Sequence, residues 1–235
     1  MHPSVKTARL SGALYLSTVP IAFYAWSYVP GKLVVRGNAA ATAENILSHE
    51  SFFRFAILLE LVGWLIFICL GIALYRLLGD VNRTWALAML SLALVQGGIG
   101  FFNTLNNITA VILFRGADFL AVLEKPQRDA LAMLFLRLHG QGNLINEVFW
   151  GVWLFPFGWL VFRSRFLPRF LGVWLMLNCF GWLALCVTGL FFPQYSDAAY
   201  RYAQPVLFGE LATMLWLAIK GAKVQALPPR PAMSG

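Results

Sequence analysis

The sequence predicts an all-α integral membrane bundle of six transmembrane helices, with both termini on the cytoplasmic side and an amphipathic helix ahead of the fourth span. Three observations carry this expectation. Apolar residues make up 60% of the 235-residue chain and charged residues only 12%, about half the charge of an ordinary soluble domain. Six apolar runs, most near the roughly 20 residues that cross a hydrocarbon core, are separated by short polar stretches. The 18 basic residues are scattered over those stretches, so the net charge of +8 reads as a topology signal and excludes nucleic acid as the expected partner.

The first run, 10–29, follows Lys6 and Arg9. Its length favours a retained helix over a signal peptide, because the small residues Ala39, Ala40 and Ala41 lie well beyond it. Pro20 removes one backbone donor inside this helix and is expected to kink it. The second run, 55–78, and the third, 85–114, are joined by the polar segment from Gly79 to Thr84, which predicts a helical hairpin. Leu131, Leu134, Phe135 and Leu138 recur at i, i+3, i+4 and i+7, so 127–139 is expected to form an amphipathic helix lying in the interface, with Pro126 in its first turn.

The fourth run, 144–162, contains Pro156 and is expected to kink there. The fifth, 170–192, follows Pro168, and the sixth, 205–219, starts at Pro205. Together these make residues 1–223 a single membrane domain. Residues 224–235, with Pro228, Pro229 and Pro231, read as a disordered cytoplasmic tail.

Orientation follows from the basic residues. With the N-terminus inside, ten of them fall on the cytoplasmic side, including Arg76, Arg83, Arg163, Arg165, Arg169 and Lys220, against a single acidic residue there, Asp80. The lipid bilayer is the expected partner, with anionic headgroups near Arg163, Arg165 and Arg169; oligomerisation is left open. Cys69, Cys179 and Cys186 all lie in apolar runs and are expected to be buried and structural. Eight of the nine tryptophans, among them Trp64, Trp85, Trp150, Trp153 and Trp182, are expected in part as interfacial anchors.

Several segments together carry a resemblance. They are Arg9–Leu16 (RLSGALYL), Gly37–Leu47 (GNAAATAENIL), Leu74–Leu78 (LYRLL) with Val81-Asn82-Arg83, Phe162–Gly172 (FRSRFLPRFLG) and Gly209-Glu210-Leu211. In this order they resemble a bacterial family of small multi-pass membrane proteins known only as a domain of unknown function, over about residues 8 to 222. The resemblance implies a helical integral membrane fold in the bacterial inner (cytoplasmic) membrane, and it brings no activity, substrate or catalytic residue with it.

The residues that invite a functional reading are polar groups inside the spans. A charge at a helix centre costs about 2.5–3.5 kcal/mol on insertion scales, so intramembrane carboxylates are candidates for function. Glu60, Glu147 and Glu210 are such groups, all expected in the outer half of the membrane, with Glu210 about two turns into the sixth helix. Gln96, Asn103 and Asn107 are spaced seven and four apart, on one face of the third helix. His139, Asn143, Asn146 and Trp150 form a second stripe, with Glu147 at its edge. Interhelical amides also serve as plain structural glue, worth about 0.6 kcal/mol on average.

The leading expectation is that Glu60, Asn103, Asn107, His139, Asn143, Asn146, Glu147 and Glu210 line an outward-facing polar cavity. Walled by the second, third, fourth and sixth spans, it would bind a small or amphipathic ligand in transport, sensing or lipid handling. The alternatives are a membrane-embedded enzyme using His139 with a carboxylate, and a non-catalytic scaffold. No catalytic residue, metal or cofactor is assigned: the chain has three histidines, with no H-E-x-x-H and no G-x-S-x-G.

Overall fold

The computed structural model of the protein describes residues 3–222, so the tail expected at 224–235 lies outside the described residues. Helix α1 (Pro3–Ala22) passes directly into a π-helical turn at Phe23–Tyr28 and then α2 (Val29–Leu33). Pro20 does not end this helix. Beyond it the ladder shifts register, with the Val29 N–H donating to the Tyr24 carbonyl five residues back. Helix α3 (Ala39–Ser48) is capped by Asn38, whose side chain accepts from the Ala41 N–H at 3.0 Å.

The hairpin expected from Gly79–Thr84 is present, formed by α4 (Glu50–Leu78) and α5 (Arg83–Arg115). Asn82 caps α5 by accepting from the Trp85 N–H at 3.0 Å, and Gly116 ends it in the left-handed region at φ 70°. Helix α6 (Lys125–Val152) opens with Pro126 in its first turn and a reciprocal cap between Glu124 and Gln127. The amphipathic segment is therefore no separate interfacial helix but the first half of α6, continuing straight into the fourth span. The interruption falls later, at Trp153. Pro156 has no N–H for the Val152 carbonyl, and the chain turns before resuming as α7 (Leu154–Arg163).

Helix α8 (Arg169–Phe191) follows Pro168, and α9 (Ser196–Ile219) completes the described chain. The last helix starts nine residues earlier than its apolar run suggests, so Pro205 is internal rather than initial. Side chains of α8 donate to carbonyls beside it, Trp174 Nε1 to Pro205 at 3.1 Å and Asn178 Nδ2 to Leu207 at 3.2 Å. No strand occurs among the described residues.

Five helical segments are long and apolar enough to cross a membrane: 50–78, 83–115, 125–163, 169–191 and 193–219. The first helix is not among them, because it contains Lys6 and Arg9 and is further diluted by Ser11, Tyr15, Ser17, Thr18 and Pro20. It is nonetheless part of the bundle. α1 packs on α4 and on α9, α4 on α5, α5 on α6, α6 and α7 on α8, and α8 on α9, which closes a ring. Gly12 is essential to that closure, since a Cβ there would meet the backbone nitrogen of Ala218 at 2.2 Å. The outside of the ring carries exposed apolar side chains such as Leu65, Phe102, Phe180 and Val187, as lipid contact requires.

Two apolar cores divide the interior of the bundle. One gathers Ala25, Val29, Ile46, Phe53, Ile57, Val111 and Phe114. The other gathers Phe67, Leu70, Leu74, Met89, Trp153, Phe157, Leu160, Leu175 and Leu217. On α4 the gap between them spans the turns that carry Glu60 and Trp64. Of the cysteines, Cys179 and Cys186 are buried but Cys69 is exposed, on the outward side of α4.

Candidate functional site

Glu60 lies ten residues into α4, about 15 Å along its axis, and is only 3% exposed. Three other elements hold its carboxylate. His139 Nε2 of α6 lies 2.9 Å from Oε1, and the Trp26 indole N–H donates to the same oxygen at 3.1 Å. Asn107 Nδ2 of α5 donates to Oε2 at 3.4 Å. A carboxylate facing Nε2 favours the imidazole form that carries its proton there. Arg54, six residues before Glu60 on α4, pairs with Glu50, which also binds Arg115 at 2.8 Å.

The polar stripes of α5 and α6 meet beside this carboxylate. Asn103 Nδ2 donates to the His139 carbonyl at 2.8 Å and to Asn143 Oδ1 at 2.9 Å, while Asn103 Oδ1 accepts from Asn106 Nδ2 at 3.0 Å. Gly142 leaves the space this network occupies: a Cβ there would sit 2.0 Å from Asn103 Oδ1. Asn146, fully buried, donates to the Gln96 carbonyl at 3.2 Å.

The polar groups face not one cavity but two that adjoin at Glu60, and Asn103 and Asn146 line neither. The first, about 810 Å³, is lined by Phe53, Ala56, Ile57 and Glu60 of α4, by Asn107, and by α6 from Met133 to Asn143. Arg36, Arg137 and His139 also face it. The second, about 520 Å³, begins where the first ends, with Glu60, Gly63, Trp64 and Phe67 on α4 and Glu147 and Trp150 on α6. Ala25, Trp26, Ser27 and Glu60 line both and form the partition. The π-helical turn brings Trp26 to this position, stacked on Trp150 at a ring distance of 5.3 Å.

Glu210 belongs to the second chamber and is not joined to the Asn–His network. Its carboxylate accepts from the Tyr15 hydroxyl and, at 3.4 Å, from the Trp182 indole. With α9 starting at Ser196, Glu210 lies fourteen residues in, past the helix midpoint and about 21 Å along the axis. The expectation of two turns is corrected by that early start. Glu147 also lines the second chamber, and its Oε2 is buried without a hydrogen-bond partner.

Four residues of these chambers carry weight that spacing alone did not give them. Trp26 and Tyr15 belong to the first helix, Trp182 to α8, and Arg137 stands beside the α6 stripe. An indole N–H or phenol inside an apolar run needs an acceptor, and that was the available signal. Trp64, Trp150, Trp153 and Trp182 act not as interfacial anchors but as chamber walls, and Gly100 makes room for the Trp64 ring, which a Cβ would meet at 2.0 Å. Among the described residues, no group of three or more His, Cys, Asp or Glu is placed to hold a metal ion.

A ring of helices with membrane-length apolar spans and carboxylates facing internal chambers defines a helical membrane-protein fold. The chain belongs to the DUF4386 family, a domain of unknown function, which matches residues 10–221. It is also similar to an uncharacterized protein of Archaeoglobus fulgidus, with 29% identity over 87 residues, 37% of this chain and 51% of that protein. The matched part thus spans about half the length of that relative. No solved structure matches the chain.

Proposed function

We propose that the protein is a six-span membrane protein that binds a small or amphipathic ligand in the polar chamber, in a transport, sensing or lipid-handling role. The observation that carries this is Glu60, a buried carboxylate held by three neighbouring elements at the floor of a chamber of about 810 Å³. That volume lies within the range of small-molecule sites, roughly 300–1,000 Å³. The chamber also presents Arg36 and Arg137, so it offers both charge signs to a ligand.

The sixth span is the first helix, which fills the ring between α4 and α9 although it is less apolar than the others. The bias of basic residues supports N-in and C-in, in a bacterial inner membrane, with the polar chamber toward the outer face. In that orientation Arg163, Arg165 and Arg169, around the α7–α8 turn, meet anionic headgroups on the cytoplasmic leaflet. A second reading, a membrane-embedded acid–base enzyme, is favoured by one contact, His139 Nε2 within 2.9 Å of Glu60. Metal retained by the purified protein and lost in His139→Ala would turn the balance toward it.

Native mass spectrometry of the gently extracted protein tests the ligand reading. The expected result is a specific bound small molecule or lipid whose occupancy falls at least fivefold in Glu60→Gln. Absence of any bound species, or equal occupancy in both proteins, would overturn it and favour a non-catalytic scaffold.

A further inference from the structure

The second chamber differs in chemistry from the polar one, and its lining contains no lysine, arginine or histidine among the described residues. Glu60, Glu147 and Glu210 all face it. Its walls are indoles in mutual contact: Trp26 stacks on Trp150, Trp26 and Trp64 are tilted at 5.6 Å, and Trp150 meets Trp182 edge-on at 5.2 Å. Indole faces attract cations through their quadrupole, most strongly when water is excluded, and several of them around one space form the cage that recognises organic ammonium groups.

Two acceptors that line this chamber lack partners. Gln96, 4% exposed, has an unpartnered Oε1, and Glu147 has a buried, unpartnered Oε2. A buried acceptor without a donor costs about 1–3 kcal/mol, more when charged, and a cation in the chamber would relieve both. The Trp64 and Trp150 indole N–H groups are also unpartnered, so a fitting ligand carries an oxygen acceptor near its cationic centre. Glu60 is already engaged by His139, and Glu210 by Tyr15 and Trp182, which leaves Glu147 as the carboxylate with a free oxygen for the incoming charge.

We propose that the tryptophan-walled chamber is a second binding site, for an organic ammonium cation with an adjacent oxygen, as in a choline-type group. It goes beyond the polar-chamber reading, because Glu147 lines only the second chamber and its replacement leaves the walls of the first intact. The same group occurs on a free amine and on a lipid headgroup.

The test is titration of the full-length protein, in phosphatidylglycerol nanodiscs at constant ionic strength, with choline chloride, followed by tryptophan fluorescence. The expected result is a saturable change, at least tenfold tighter than for 3,3-dimethylbutan-1-ol, the neutral isostere, and at least fivefold weaker in Glu147→Gln. Glu147→Asp should recover part of that loss. Should Glu147→Gln fail to fold, Trp182→Phe, which keeps a ring in place, is expected to weaken binding at least threefold. Repeating the titration in phosphatidylcholine nanodiscs separates the sources: a shift to higher choline concentration identifies the headgroup as occupant, and an unshifted curve identifies a free amine. Equal affinity for the neutral isostere, no saturable change with choline, or unchanged affinity in the folded variants would overturn the proposal.

Discussion

The two chambers share a wall and yet sort their chemistry in opposite ways. Among the described residues, the larger one sets Arg36, Arg137 and His139 against a single carboxylate, Glu60, with Asn107, Asn143 and Ser27 beside them. The smaller one has, among the described residues, three carboxylates and no basic residue, with five indoles in its lining. Only the Trp26–Glu60 partition belongs to both. In an apolar bundle, where each unpaired charge is expensive, such a division cannot come from solvent exposure, as it can on a soluble surface. It must be held by particular contacts, and each can be removed separately.

The largest effect is expected at the partition. His139→Leu leaves the Glu60 carboxylate buried among neutral donors, and loss of one partner of a buried pair costs about 3–5 kcal/mol. Thermal unfolding in mild detergent should show this loss, and the double variant Glu60→Leu/His139→Leu should be less destabilised than His139→Leu alone. Additive losses would mean that the two side chains do not act as a pair.

Next comes Trp26→Ala, which removes both the ring stacked on Trp150 and the N–H donor to Glu60. Because Trp26 is only partly buried, a loss of about 2 kcal/mol is expected, below that of a fully buried tryptophan. The two chambers should also merge, which acrylamide quenching of the remaining tryptophans would register as greater access. Quenching unchanged from wild type would show that Trp26 is not the barrier.

Gly142→Ala tests the amide side of the polar chamber. Its new methyl collides with Asn103, for an overpacking loss of about 1–2 kcal/mol. In an Asn103→Ala background the same change should be nearly neutral, as measured by the melting temperature of the double variant. The smallest effect is expected away from both chambers. Arg54→Ala should alter stability by less than about 0.5 kcal/mol, since its side chain is 51% exposed and Glu50 retains Arg115.

Much of the bundle was legible because its signals are periodic. The α4–α5 hairpin followed from two long runs and a polar connection, and Pro126 and Pro168 mark helix starts because each tolerates a missing N–H there. Prolines inside helices misled. Pro205 reads as a boundary because the apolar run begins there, yet the helix starts at Ser196 and runs through it, which places Glu210 further along the helix than expected. Gly142, inside α6, is the position that admits Asn103.

Of the candidate site, the stripes on α5 and α6 could be read at helical spacing, since Asn103, Asn107, His139 and Asn143 lie on consecutive turns. The division into two chambers could not. It depends on Trp26, presented by a π-helical turn that has no sequence period of its own, and on Tyr15 reaching Glu210 across 195 residues of chain. Periodicity reports which face of one helix is polar. It does not report which polar groups on different helices reach the same depth.

The central claim is that Glu60 and His139 are in direct contact at the partition between the chambers. Solid-state NMR in lipid bilayers, with the Glu60 carboxyl carbon and the His139 ring nitrogens labelled, measures that contact without perturbing it. A strong dipolar coupling between the carboxyl carbon and Nε2, as the 2.9 Å separation of Nε2 and Oε1 requires, is the expected result. A bilayer sample in which that coupling is absent while the helices remain folded would contradict the account.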